Sequence, residues 1–149
     1  MLFWAFMFLV TLLLPLTMLY FGRRFVRRPP PKINQSYGYR TNRSMRSQEA
    51  WTFAHRRFGW IWSVLGFLLL PVTAAPMLAV AGDGVPETSR AAVILVVIQL
   101  AVMILSMVLT EKTLKKRFDE NGRPIPRKKR FHFDKERFKQ AFRRNRYHM

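Results

Sequence analysis

The side chains that could do specific chemistry gather in one stretch: Asn34, Gly38, Tyr39, Arg40, Thr41, Ser47, Glu49, Trp51 and His55. A carboxylate and an imidazole suggest acid–base work, which requires both to reach one reacting proton. Glu49 and His55 are six residues apart, however, and on a single helix that spacing puts them on different faces. Arg40, beside Gly38 in the Tyr37–Thr41 stretch, suits an anion, and a lipid phosphate is the simplest one. The chain has no cysteine, so disulfide frameworks, thiolate zinc sites and cysteine nucleophiles are excluded. His55, His132 and His148 lie too far apart for metal-ligand spacing, and the acidic residues are dispersed. Glu111 could pair with Lys115 at i,i+4. No P-loop, GxSxG or HExxH pattern is present. The residue types point to recognition rather than catalysis, with no cofactor and no metal.

The elements that must position these residues follow from how charge and hydrophobicity are distributed. Half of the 149 residues are hydrophobic, yet the net charge is +18, and the two kinds of residue are segregated into blocks. Residues 1–21, about 58–81 and 91–110 hold no charged side chain. Each is near the ~20 residues that a helix needs to cross a hydrocarbon core of about 30 Å. The expected fold is all-α: an integral membrane protein with three transmembrane helices, a basic cytoplasmic loop and a basic C-terminal tail. Residues 1–122 form the membrane domain and 123–149 the tail. No basic residue precedes the first apolar run and Arg23, Arg24, Arg27 and Arg28 follow it, the reverse of a cleaved signal peptide, so it is expected to stay as a span. Pro71 and Pro76 interrupt the second span, which neighbouring helices can tolerate by satisfying the freed carbonyls. Gln99, the strongly polar residue of the third span, should face another helix rather than lipid.

Basic residues divide very unevenly among the links. Residues 22–57 hold ten Lys or Arg and residues 111–149 hold fifteen, whereas 82–90 holds only Arg90. The positive-inside rule therefore puts the loop and tail in the cytoplasm, with the N-terminus and the Gly82–Arg90 turn outside a bacterial plasma membrane.

Within the loop, Pro29-Pro30-Pro31 should be extended, and Ser47 is placed to N-cap a helix with Glu49 in its first turn. That helix can run unbroken into the second span, with Trp51, His55, Phe58 and Trp62 on one face. Arg56 and Arg57 fall on other faces and can snorkel to phosphates. An interfacial belt of aromatics and arginines explains much of this segment. It explains less well why Asn34, Gly38, Thr41, Ser44, Ser47, Glu49 and His55 accompany them, and composition leaves both readings open.

The pattern Asn34-x-x-x-Gly38-Tyr39-Arg40-Thr41, then Ser44, Ser47, Glu49, Trp51, Ala54-His55 and Gly59, resembles the signature of the SdpI family. Glu111-Lys112-Thr113-Leu114-Lys115-Lys116 with Phe118-Asp119-Glu120-Asn121-Gly122 also resembles the close of family members. The likeness covers about residues 30–122. It implies a small helical membrane protein that confers immunity to a secreted, membrane-active peptide toxin of the sporulation-delaying-protein type. It also implies signal transduction by binding a cytoplasmic repressor at the membrane. Longer members carry further spans before this region, and the tail beyond Gly122 lies outside the family pattern. A structural or assembly subunit of a larger membrane complex is the competing reading, its basic face docking on partner subunits.

The tail carries Arg127, Lys128, Lys129 and Arg130, then Arg143, Arg144 and Arg146, with Phe131, Phe138 and Phe142 recurring between them. On a helix this is a narrow apolar stripe on a basic cylinder, which suits the anionic headgroups of membrane lipids. A protein partner and nucleic acid are the competitors. Tethering beside two basic membrane flanks favours lipid over direct nucleic acid binding.

Overall fold

The computed structural model describes residues 1–126, so the tail residues expected to meet lipid, Arg127–Arg130, Phe131, Phe138, Phe142, Arg143 and Arg144, lie outside the described residues. Within the described residues the chain is three helices: α1 (Leu2–Arg27), α2 (Gln48–Ala79) and α3 (Val85–Arg117). All three are long and apolar enough to cross a membrane. They run up, down and up. The start of α1 meets the end of α2, where the Trp4 indole donates to the Met77 carbonyl at 2.7 Å. Apolar side chains point outward along the whole bundle: Leu9, Phe67, Val97 and Ile104 are each at least 60% exposed. Water-soluble monomers rarely leave apolar patches of more than a few hundred Å² uncovered. Here the surrounding solvent is lipid, and the molecule is an integral membrane protein.

The expected spans fall within longer helices, except that the first starts one residue before α1 and the second overruns Ala79, the end of α2, by two residues. α2 begins ten residues before Phe58, and α3 continues seven residues past Thr110. Hydropathy registers only the part of a helix that lipid covers. The backbone ladder continues beyond it until a cap or a turn ends it.

α1 and α2 meet through small residues. A Cβ on Gly22 would lie 2.6 Å from the Ser63 backbone nitrogen, and one on Gly59 would lie 2.7 Å from the Gly22 carbonyl oxygen. Gly66 lies against Met18 and the Pro15 carbonyl. Lipid tails are as apolar as leucine, so close backbone packing of this kind is a main source of attraction between membrane helices.

α3 is tied in through Gln99, which does face its neighbours. Its amide nitrogen lies 2.9 Å from the Thr11 carbonyl of α1 and 2.9 Å from Thr73 Oγ1 of α2. Thr11 needs that donor because Pro15, four residues on, has no N–H to give it. A further bond between α2 and α3 joins the Trp62 indole to Ser106 Oγ at 2.9 Å.

Candidate functional site

The loop that joins α1 to α2 is folded back onto the bundle, and the start of α2 organises it. Ser47 has extended backbone angles, and its hydroxyl accepts the Ala50 N–H at 3.1 Å, the expected N-cap. The same hydroxyl donates to the Gly122 carbonyl at 2.7 Å, tying the turn after α3 to the head of α2. Gln48 donates to the Pro31 carbonyl at 2.9 Å, and the fully buried Trp51 indole donates to the Pro30 carbonyl at 3.0 Å. The proline run presents carbonyls and has no N–H of its own to satisfy, so two side-chain donors suffice to hold it.

One helical turn further on, His55 is fully buried. The Tyr39 backbone N–H donates to its Nε2 at 2.9 Å, which places the ring proton on Nδ1, 2.8 Å from the Trp51 carbonyl. Trp51 packs 4.2 Å from the imidazole between ring centres, and Phe25 of α1 meets it edge-on at 5.1 Å. His55 lies in the part of α2 that precedes the membrane-crossing segment. Its burial among these rings disfavours the charged form and holds its pKa below the ordinary 6.5, while the Trp51 carbonyl pulls weakly the other way.

Gly38 makes the bond to His55 possible. Its φ is +116°, and a Cβ there would collide with His55 Nε2 and come within 3.0 Å of Cε1. Asn34 shapes the approach, its side-chain oxygen accepting the N–H groups of Ser36 at 3.2 Å and Tyr37 at 2.8 Å. Thr41 and Ser44 cap each other: the Ser44 hydroxyl receives the Thr41 N–H at 2.9 Å, and Thr41 Oγ1 receives the Ser44 N–H at 3.2 Å. Ser44 also donates to the Tyr39 carbonyl at 3.0 Å, so both backbone groups of Tyr39 are engaged.

The Tyr39 side chain crosses to α3. Its hydroxyl donates to the Met107 carbonyl at 3.2 Å, with Glu111 Oε2 3.5 Å away. Burial, and then the nearby Glu111 carboxylate, push the phenol pKa above its ordinary range. Glu111 also lies 3.8 Å from Arg43 Nε, and Arg43 donates to the Phe118 carbonyl at 3.0 Å. The expected Glu111–Lys115 pair is thus replaced by contacts with the loop. The loop brings a cation and a phenol to the half-buried face of Glu111, whereas Lys115 is exposed.

The predicted residues therefore separate into two groups. Asn34, Gly38, Tyr39, Thr41, Ser47, Trp51 and His55 build one interlocked latch. Arg40 and Glu49 are exposed, Arg40 donating to the Gln35 carbonyl and also reaching the cleft beneath the latch. Sequence reading left Arg43 and Glu111 out of the site, although a lone acid at a strongly basic helix end was an available signal. Under the latch is a cleft of about 370 Å³ walled mainly by aromatics: Phe21 and Phe25 of α1, Tyr37 and Tyr39 of the loop, and Phe58 and Trp62 of α2. That volume suits one or two large apolar side chains. Among the described residues, no group of three His, Cys, Asp or Glu could hold a metal ion.

Residues 31–110, which include the latch residues, α2 and α3 as far as Thr110, match the SdpI/YfhL protein family. A Bacillus subtilis (strain 168) protein, the uncharacterized protein YfhL, is 33% identical over 87 residues, covering 58% of this chain and 69% of that relative. No solved structure matches significantly.

Proposed function

This chain belongs to the SdpI/YfhL family, and from that membership we propose that it protects a bacterial plasma membrane against a membrane-active peptide toxin. The observation that carries this reading is the aromatic cleft beneath the latch. It is an apolar receptor at the basic end of the bundle, able to take the apolar side chains of a peptide that has inserted into the bilayer from outside. Arg40 and Glu49 supply exposed charges to which the toxin's polar face or a cytoplasmic repressor would bind.

The test is survival and membrane depolarisation of a toxin-sensitive strain challenged with a purified sporulation-delaying-protein type peptide. The intact chain should protect. Arg40→Ala and Glu49→Ala should insert normally and lose protection on the order of tenfold, the equivalent of about 1.4 kcal/mol of binding. A wild-type chain that inserts and gives no protection sinks the reading. Copurification of stoichiometric foreign subunits in mild detergent would favour a structural role in a larger complex instead.

The proposed orientation has the latch end in the cytoplasm, because the basic residues of the loop and of the α3 end all lie at that end. The natural absence of cysteine makes this simple to test. Asp83→Cys should react with an impermeant maleimide on whole cells, and Asn121→Cys should react only after lysis. The opposite pattern would invert the topology and let the toxin reach the latch without entering the bilayer.

A further inference from the structure

On a different face of the bundle from the latch, α2 and α3 enclose a second groove, of about 320 Å³. Arg57, Lys112 and Lys116 stand at its outer end, and Trp60, Val64 and Leu109 are among the apolar residues of its walls. We propose that this groove is a site for one anionic phospholipid, the headgroup phosphate held by Arg57, Lys112 and Lys116 and an acyl chain lying between the two helices.

Charge complementarity identifies the occupant. Three cations and no carboxylate line the groove. Glu111, the nearest acid in sequence, lies 100° around α3 from Lys112 and is turned toward Arg43 and Tyr39. The Arg57 guanidinium is already oriented, stacked 4.9 Å above the Trp60 ring. Its Nε has no hydrogen-bond acceptor and the guanidinium no carboxylate partner among the described residues, and a phosphate in the groove would supply the missing anion. Apolar walls continue from Arg57 to Leu65, about 12 Å along α2, in the direction a lipid tail must take. An acidic protein segment would match the charges but not that apolar extension into the bilayer. The chain's own residues 127–149, with ten Lys or Arg against two acids, carry the wrong sign.

A charged surface alone would predict a different favourite. Arg23, Arg24, Arg27 and Arg28 line a larger and more open depression, of about 580 Å³, on α1 with more cations. That depression has a wall from one helix only, and Arg24 is engaged with the Arg28 carbonyl at 2.7 Å. Comparing the two sites therefore separates a built site from general attraction to an anionic leaflet.

The full chain in nanodiscs containing equal phosphatidylglycerol and phosphatidylcholine, released for native mass spectrometry, provides the test. Wild type should retain one phosphatidylglycerol with a preference of roughly tenfold over phosphatidylcholine. The R57Q/K112Q/K116Q variant should lose that preference, and R23Q/R24Q/R27Q, with the same loss of charge, should keep it. Both triple variants should remain monodisperse, since most of the altered side chains are exposed. Equal losses in the two variants, no headgroup preference in wild type, or a bound polypeptide in place of the lipid would each overturn the assignment.

Discussion

Gly38→Ala should release the loop from the bundle while leaving the three helices inserted. The added methyl would occupy the space of His55 Nε2, and alanine is strained at a φ of +116°. The strained backbone costs about 1–3 kcal/mol, and losing the Tyr39 N–H to His55 bond leaves a buried donor unpaired, at about another 1–3 kcal/mol. Each 1.4 kcal/mol is about tenfold in population, so the docked state should become a minor one. Hydrogen exchange across residues 34–46 should accelerate at least tenfold. Gly82→Ala is the matched control, since its φ is +100° but a Cβ there meets nothing within 4 Å. Equal exchange in the two variants would show that Gly38 does not hold the latch.

Proton binding should open the same latch in the wild-type protein. His55 accepts the Tyr39 N–H only while Nε2 is bare. Its pKa in the docked state lies below the ordinary 6.5, so the released state takes up the proton more readily. Docking stability is therefore fully present above pH 6.5 and is lost as pH falls below it. Exchange of the loop, corrected for the intrinsic pH dependence, should rise between pH 7.5 and 5. His55→Gln should flatten this profile.

Gly59→Leu should have the larger effect on the whole fold. A Cβ at Gly59 would lie 2.7 Å from the Gly22 carbonyl oxygen, 2.8 Å from Phe25 Cβ and 3.0 Å from the Val26 backbone nitrogen. Two of these three atoms are backbone, so no side-chain rotation clears the space and α1 must move off α2. Overpacking of a well-packed contact costs about 1–3 kcal/mol, and the separation also breaks the cluster of Phe25, Tyr39, Ala54 and Phe58. The thermal midpoint in mild detergent should fall sharply, and the loop should be released as a consequence. Gly84→Leu, where the nearest atom to a Cβ is 3.8 Å away, adds only the backbone strain of its φ of +93° and should leave packing between α1 and α2 intact. A midpoint for Gly59→Leu no lower than that of Gly84→Leu would mean that α1 and α2 are not held by this contact.

The sequence by itself determined the three spans, the basic end of the bundle, the Ser47 cap and the run of α2 from that cap into the membrane. Each depends on a property of a single segment: the length of an apolar run, the sign of its flanks, a hydroxyl placed to receive an N–H three residues on. The residue pattern from Asn34 to His55 also marked the stretch that folds back onto the bundle. Helical spacing put His55 and Glu49 on different faces of one helix, but only the neighbouring elements decide that the His55 face is the buried one.

Tertiary structure decided the partners. Tyr39 meets His55 sixteen residues away, and Gln99 meets Thr11 eighty-eight residues away. Glu111 takes Arg43 across the bundle in place of Lys115 along its own helix. A helix turns about 100° per residue, so which side chain faces which depends on the rotation and crossing of whole helices. Those are set by where backbones can approach, here at Gly22, Gly59 and Gly66. Hydropathy and charge carry no record of that rotation. Proline shows the division well: Pro15 announces in the sequence that the Thr11 carbonyl loses its helical donor, but only the packing of α3 against α1 brings the Gln99 amide to replace it.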